Sequence, residues 1–382
     1  MPVTGLPDFP WDRLRPYAER ARAHPDGVVD LSVGTPVDPT PPVVRRALAD
    51  AADAPGYPTV VGVPEVGEAV RAWFERVRGT GPLPGLGVMP TIGSKELVAW
   101  LPTLLGLGPG DRVVHPEVAY PTYDVGARLA GAEPVAADAT TALGPDTSVG
   151  LVWLNTPANP TGRVLGVDHL AKVVAWARER GAVVASDECY ADLGWTAEWD
   201  PAQGGQRVPS VLDPRVTGGD LTGVLAVCSA SKRSNLAGYR AGFLAGDPAV
   251  VRRVVEVRRH AGMIVPAPVQ AALVASLSED SHVAEQKERY RARRDVLLPA
   301  LGAAGLVVEH SEAGLYLWAH RPGTASCWEL VEALAALGVL VAPGEFYGPR
   351  GAGHVRVALT ATDERVRAAA ARLRSAGSAT TR

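Results

Sequence analysis

The chain has 382 residues, 47% of them hydrophobic, and a formal charge of −3 from 38 basic and 41 acidic side chains. That length implies roughly two domains at about 150 residues each, and 41 Gly with 33 Pro stay below the roughly 25–30% that marks low-complexity chains, so disorder and collagen-like structure are excluded. The charges form no blocks, which leaves no basic face for nucleic acid or an anionic membrane.

In chain order, helical periodicity with charged outer faces predicts helices at 11–22, 42–53, 65–78, 95–105 and 167–180. Between and after them lie β-rich runs at 112–115, 135–137, 150–155, 182–187, 224–229 and 242–245. The alternation predicts an α/β fold, with a mainly parallel sheet sandwiched by helices in a large domain over 41–268. The segment 198–223, rich in Gly, Pro and Asp, reads as a surface excursion between two sheet strands. After Pro268 the pattern changes to a long charged helix at 281–300. Short strands at 306–309, 315–319, 339–341 and 355–359 then alternate with two more helices. This predicts a smaller α+β domain over 269–382, to which an N-terminal segment, 1–40, contributes.

No apolar run approaches the roughly 18–20 residues of a membrane span. The first residues lack the basic start and apolar core of a signal peptide, and the 3 cysteines show no metal-ligand spacing. A cytoplasmic protein with free thiols is expected. Gly106-Leu-Gly108-Pro-Gly110 imitates a dinucleotide fingerprint, but Asp111 stands where the third glycine belongs and a strand follows. The 8 histidines are scattered, so no metal site is expected.

Chemistry that needs a primary amine has only Lys95, Lys172, Lys232 and Lys287 to draw on. Lys172 and Lys287 sit among charges and read as solvated helix faces. Lys95 follows Gly93-Ser94 at a helix start, where backbone N–H groups can hold a phosphate. Lys232 follows a buried strand ending in Ser229-Ala-Ser231, with Arg240 beyond it. Asp187 also ends an apolar strand, and a carboxylate there needs a cationic partner. An aldehyde cofactor with a protonatable ring nitrogen and a phosphate uses all of these groups, and pyridoxal 5′-phosphate is such a cofactor.

Four segments carry a family resemblance: Asn159-Pro-Thr-Gly162, Asp187-Glu-Cys-Tyr190, Ser229-x-Ser-Lys232 with Arg240, and Val355-Arg356-Val357. The sequence resembles the class I/II aminotransferases of pyridoxal phosphate fold type I, from Gly34 to Arg356. Within them Ile92-Gly-Ser-Lys-Glu96 and Pro343-Gly-Glu-Phe-Tyr-Gly348 look like the actinobacterial type of N-succinyldiaminopimelate aminotransferase.

The resemblance implies that Lys232 joins the cofactor through an imine and later carries the substrate Cα proton. Asp187 would pair with the ring nitrogen, and Asn159 and Tyr190 with the ring oxygen. Gly93, Ser94, Ser229, Ser231 and Arg240 would hold the phosphate, which Tyr57 reaches from the other subunit of a homodimer. Tyr120 would stack on the ring and Arg356 would grip the substrate α-carboxylate, with Gly34 keeping the facing wall open. Lys95 would lie beside the phosphate or a distal substrate carboxylate, and Cys189 would pack into the sheet.

The expected reaction is transamination between glutamate and N-succinyl-2-amino-6-oxopimelate, in lysine biosynthesis. Another class I/II aminotransferase with a different amino acid substrate and a C–S lyase are the rival enzymes. A catalytically silent regulator is disfavoured by Lys232, by Arg356 and by the roughly thirty residues before Leu31, too few for a DNA-binding domain.

Overall fold

The computed structural model describes residues 6, 7, 9–143 and 148–380, apart from the side chains of 378–380. The segment expected at 1–40 is therefore described only in part, and the two final residues of the expected 269–382 domain lie outside the described residues.

The strands are β1 (Val29–Asp30), β2 (Gly87–Ile92), β3 (Arg112–His115), β4 (Glu133–Ala136), β5 (Val149–Asn155), β6 (Val183–Asp187), β7 (Val224–Ser229) and β8 (Ala241–Gly246). They continue as β9 (Val307–Glu309), β10 (Tyr316–His320), β11 (Val339–Leu340), β12 (Ala342–Pro343) and β13 (His354–Ala358). The helices are α1 (Arg15–Arg22), α2 (Pro42–Asp50), α3 (Pro64–Trp73), α4 (Gly93–Leu104), α5 (Thr122–Ala130), α6 (Val167–Arg178) and α7 (Pro214–Thr217). After these come α8 (Ala230–Arg233), α9 (Pro248–Ala261), α10 (Ala267–Ser278), α11 (Ser281–Ala303), α12 (Cys327–Ala336) and α13 (Asp363–Thr380).

Among the described residues the large sheet has the order β2-β8-β7-β6-β5-β3-β4. It is parallel from β7 to β4 and antiparallel where β8 meets β7 and β2. Its central strands read as unbroken apolar runs because both faces are buried. Leu151 and Trp153 of β5 enter a core with α4, α5 and α9, while Val152 and Leu154 enter the opposite core with α2, α3, α6 and α10. The antiparallel β2, with its Gly and Pro, and the helices α5, α9 and α10 escaped the sequence reading. For α9 the signal was present: Asp247 caps the N-terminus, Pro248 follows, and Gly262 stops the helix at φ 67°.

The second unit has the antiparallel sheet β12-β13-β10-β9, backed by α11 and α13, which pack on each other. The N-terminal segment joins it: β1 runs parallel to β11, and α1 packs on α12. The sequence break at Pro268 does not coincide with the packing. α10 lies against α2, α3 and β8 of the large unit, so the passage between units falls between α10 and α11.

Two further expectations are corrected. The segment 198–223 is anchored, not a surface excursion: Val211 and Leu212 are fully buried, and the Val211 N–H donates to Glu188 (2.7 Å). Glu188 in turn forms a buried ion pair with Arg78 (2.7 Å). Lys287 is no solvated face either, because its Nζ donates to the buried Asp200 carboxylate (2.7 Å) and ties α11 to the same segment.

Candidate active site

β5, β6 and β7 are neighbours and end in Asn155, Asp187 and Ser229. Three polar residues thus arrive together outside the carboxyl ends of the strands, where open α/β sheets bind ligands. A cavity of about 620 Å³ opens there. Its wall includes Gly34, Ser94, Lys95, Tyr120, Asn159, Asp187, Tyr190, Ser229, Ser231, Lys232, Arg240 and Arg356. Gly93 backs it, since a Cβ there would meet the Arg240 guanidinium at 2.3 Å. Tyr57 is the predicted residue that the single chain leaves apart: it is 100% exposed.

Asp187 is held on both oxygens, by the Tyr123 hydroxyl (3.0 Å) and by the Cys189 N–H (3.2 Å). Burial raises its pKa, against those hydrogen bonds. Asn155 steadies the turn, with Nδ2 donating to the Asp187 carbonyl (2.9 Å) and Oδ1 accepting from the Asn159 N–H (2.7 Å). Lys232 Nζ crosses the cavity and donates to the Gly34 carbonyl. Burial, together with the positive charges of Arg356 and Arg240, lowers its pKa despite nearby Tyr316.

Arg356 is buried, with its guanidinium 3.9 Å from the Tyr316 ring centroid. It donates to Asn159 Oδ1 (3.0 Å) and to the Ser32 carbonyl (2.6 Å), while its Nε has no hydrogen-bond partner among the described residues. Tyr316 also shares a hydroxyl contact of 3.2 Å with Tyr190. Burial pushes the Tyr316 phenol up, but Arg356 and Lys232 outweigh it and hold the group below the ordinary tyrosine range. Burial moves Tyr120 the other way, to about 12. The role expected of Gly34 changes: a Cβ there would lie 2.1 Å from Tyr316 Oη, so the glycine admits that ring.

At the other end, α4 begins at Gly93 (φ 69°), so its N-terminal Ser94 borders the cavity together with Arg240. Ser229 caps α8, accepting from the Ser231 N–H (3.1 Å). Arg240 has a left-handed backbone (φ 54°) and its guanidinium donates to the Ala237 carbonyl (2.9 Å). A helix N-terminus, hydroxyls and a guanidinium make an anion cradle.

Residues 26–373 match the model of the family described as aminotransferase class I and II. The chain belongs to that family. A probable aminotransferase of Mycobacterium tuberculosis is 60% identical to it, over 96% of this chain and 85% of that protein. The 4-dedimethylamino-4-oxo-anhydrotetracycline transaminase OxyQ of Streptomyces rimosus is 56% identical, over 96% and 99%. The solved probable N-succinyldiaminopimelate aminotransferase of Thermus thermophilus superimposes with a TM-score of 0.83 at 29% identity, over 96% and 99% of the two chains.

This aminotransferase therefore has the type I fold, acts on amino and oxo acids, and uses pyridoxal 5′-phosphate. Its cavity fits that cofactor: a buried carboxylate, a half-buried amine and an anion cradle stand around one space. Sequence reasoning missed Tyr123, Tyr316, Phe9 and Trp11 of the aminotransferase site; the last three line the cavity. It also placed Cys189 in the sheet, whereas Cys189 lines the cavity. No described helix is long and apolar enough to cross a membrane.

Proposed function

We propose that the enzyme moves the amino group of glutamate to N-succinyl-2-amino-6-oxopimelate, giving N-succinyl-LL-2,6-diaminopimelate for lysine synthesis, as a cytoplasmic homodimer. One observation carries this reading: the cavity wall holds Lys95, Lys232, Arg240 and Arg356 against the single carboxylate of Asp187. Such an excess suits polyanionic substrates. With Lys232 as the amine, Arg240 on the cofactor phosphate and Arg356 on the α-carboxylate, Lys95 is left for a distal carboxylate. The Thermus thermophilus relative, named for the same substrate class, supports the reading.

Pyridoxal phosphate, when bound, supplies an electron sink for the electrons released at the substrate Cα. Lys232 would hold its aldehyde and would carry the proton of the substrate Cα. The lowered pKa of Lys232 makes the neutral amine accessible for both tasks. Asp187, pinned by Tyr123 and Cys189, would keep the ring nitrogen protonated, and the opposite charge would stabilise its own buried carboxylate. Arg356 orients the substrate through its carboxylate, and Asn159, whose Oδ1 is taken by Arg356, offers its N–H donors to the ring oxygen together with Tyr190. Ser94, the α4 N-terminus, Ser229, Ser231 and Arg240 would hold the phosphate, and Tyr120 would lie against the ring. Phe9 and Trp11 add an aromatic stretch to the cavity wall.

A second reading, an oxo-anhydrotetracycline-like acceptor, is favoured by OxyQ and by the aromatic wall of Phe9 and Trp11. A panel of donors and oxo acceptors with product identification separates the two. Loss of one charge-assisted contact costs about 1.5–3 kcal/mol. Lys95→Met is therefore expected to lower kcat/KM for the succinylated acceptor about 10–100-fold while sparing a neutral acceptor. Equal turnover of the succinylated acceptor by both forms would refute the role of Lys95. Pyruvate release without an oxo acid would instead identify a C–S lyase.

A further inference from the structure

The sheet face that carries Arg356 carries a second polar cluster at its other end. Tyr316, Trp318 and His320 alternate onto one face of β10, and His354 and Arg356 do so on β13. His320 and His354 are direct register partners, and Trp318 pairs with Glu309 of β9. Histidines that look scattered in the sequence are thus brought together around one carboxylate.

His320 Nε2 lies 3.4 Å from Glu309 Oε1, and His354 Nε2 lies 3.2 Å from Glu309 Oε2. One donor atom from each of the three residues falls within 4.8 Å of the others. Glu309 is the partner of both imidazoles through Nε2, while His354 Nδ1 has no hydrogen-bond partner among the described residues. The two imidazole-to-carboxylate separations are also those of ligands that share one metal ion, and the third lies within 4.8 Å. Ligands about 2.0–2.2 Å from a tetrahedral metal are separated by roughly 3.3–3.5 Å along each edge.

Trp318 stacks flat on His354, with centroids 4.8 Å apart and planes at 5°, which fixes the imidazole orientation. Glu309, Trp318 and His354 also border a cavity of about 290 Å³ between the two units, whose far wall includes Asp138 and His169. There is room on that side for a water or an anion as a fourth ligand.

We propose that Glu309, His320 and His354 form a site for Zn²⁺, with the fourth position open to the cavity between the units. Two imidazoles and one carboxylate are the donor set of three-ligand zinc sites. The hard cation Mg²⁺, which prefers octahedral oxygen, is excluded by the same chemistry. The ion would pin the edge strand β9 to β10 and β13, at a distance from the cofactor cavity.

The test uses the cofactor-loaded enzyme, stripped with a chelator and titrated with ZnCl₂ by calorimetry. One equivalent per chain is expected, undisturbed by excess Mg²⁺. Removing an outer-shell partner typically weakens a metal site about 10–100-fold, so losing a ligand in His320→Ala or His354→Ala should weaken zinc binding more than about 100-fold. Retained cofactor absorbance and transaminase activity show that those variants are folded, and Glu309→Gln supplies a third if one is not. Zinc uptake that is absent, or equal in wild type and variants, overturns the proposal.

Discussion

Lys232 is the residue on which the proposed chemistry turns, because of the two lysines that line the cavity, Lys95 and Lys232, it is the one withdrawn from solvent. Lys232→Ala is expected to abolish the visible absorption of the bound cofactor and to lower kcat by at least about 10²–10⁴-fold, the usual range for a positioned proton carrier. Lys95→Ala should keep the absorption, and a Lys232→Ala enzyme with an unchanged spectrum would refute the assignment. The gathering of Asp187, Ser229, Ser231, Lys232 and Arg240 in one cavity was legible in the chain, since they lie near strand ends and within short, ordered motifs. Tyr316 and Tyr123 were not. Tyr316 reaches the site only because β10 pairs with β13 beside Arg356, and Tyr123 because α5 packs it under Asp187. Contacts of that kind depend on pairing and packing that no local pattern encodes.

Among the elements, the stretch from α3 into the helical turn Phe74–Arg78 shows why an unremarked arginine matters. It carries Arg78 into the core, where its only carboxylate partner, among the described residues, is Glu188. Glu188 also accepts from Ser210 and Val211, so one buried pair fastens the segment after β6 to α3, one residue from Asp187. Glu188→Gln is expected to cost about 3–5 kcal/mol, because it leaves Arg78 charged and uncompensated. Denaturant unfolding would record this as a lower midpoint at constant slope. Arg78→Met combined with Glu188→Leu should recover much of the loss, and a Glu188→Gln enzyme with unchanged stability would show that the pair is not the fastener. The helix 65–78 was legible by its period. Its buried charge was not, because Arg78 occupies a position that periodicity reads as a polar face.

For the whole molecule, the fully exposed Tyr57 belongs with the proposed homodimer, in which it would reach the neighbouring phosphate. Tyr57→Phe removes a hydrogen bond to a charged group, worth about 1.5–3 kcal/mol, so the cofactor Kd should rise about 10–100-fold without change of oligomeric state. Sedimentation of an active monomer, or an unchanged Kd, would refute this shared contact. The two-unit layout was readable from the change of pattern after Pro268, but its seam was not, because α10 is apolar on all sides and gives no sign of which unit it joins. A last consequence follows from β1, where Val29 pairs with Val339. During synthesis at about 5–20 residues per second, the N-terminal apolar residues wait roughly tens of seconds for that partner to be made. Through that interval Val29 and Leu31 lack the strand that completes their backbone pairing, which leaves this apolar segment for a chaperone to protect.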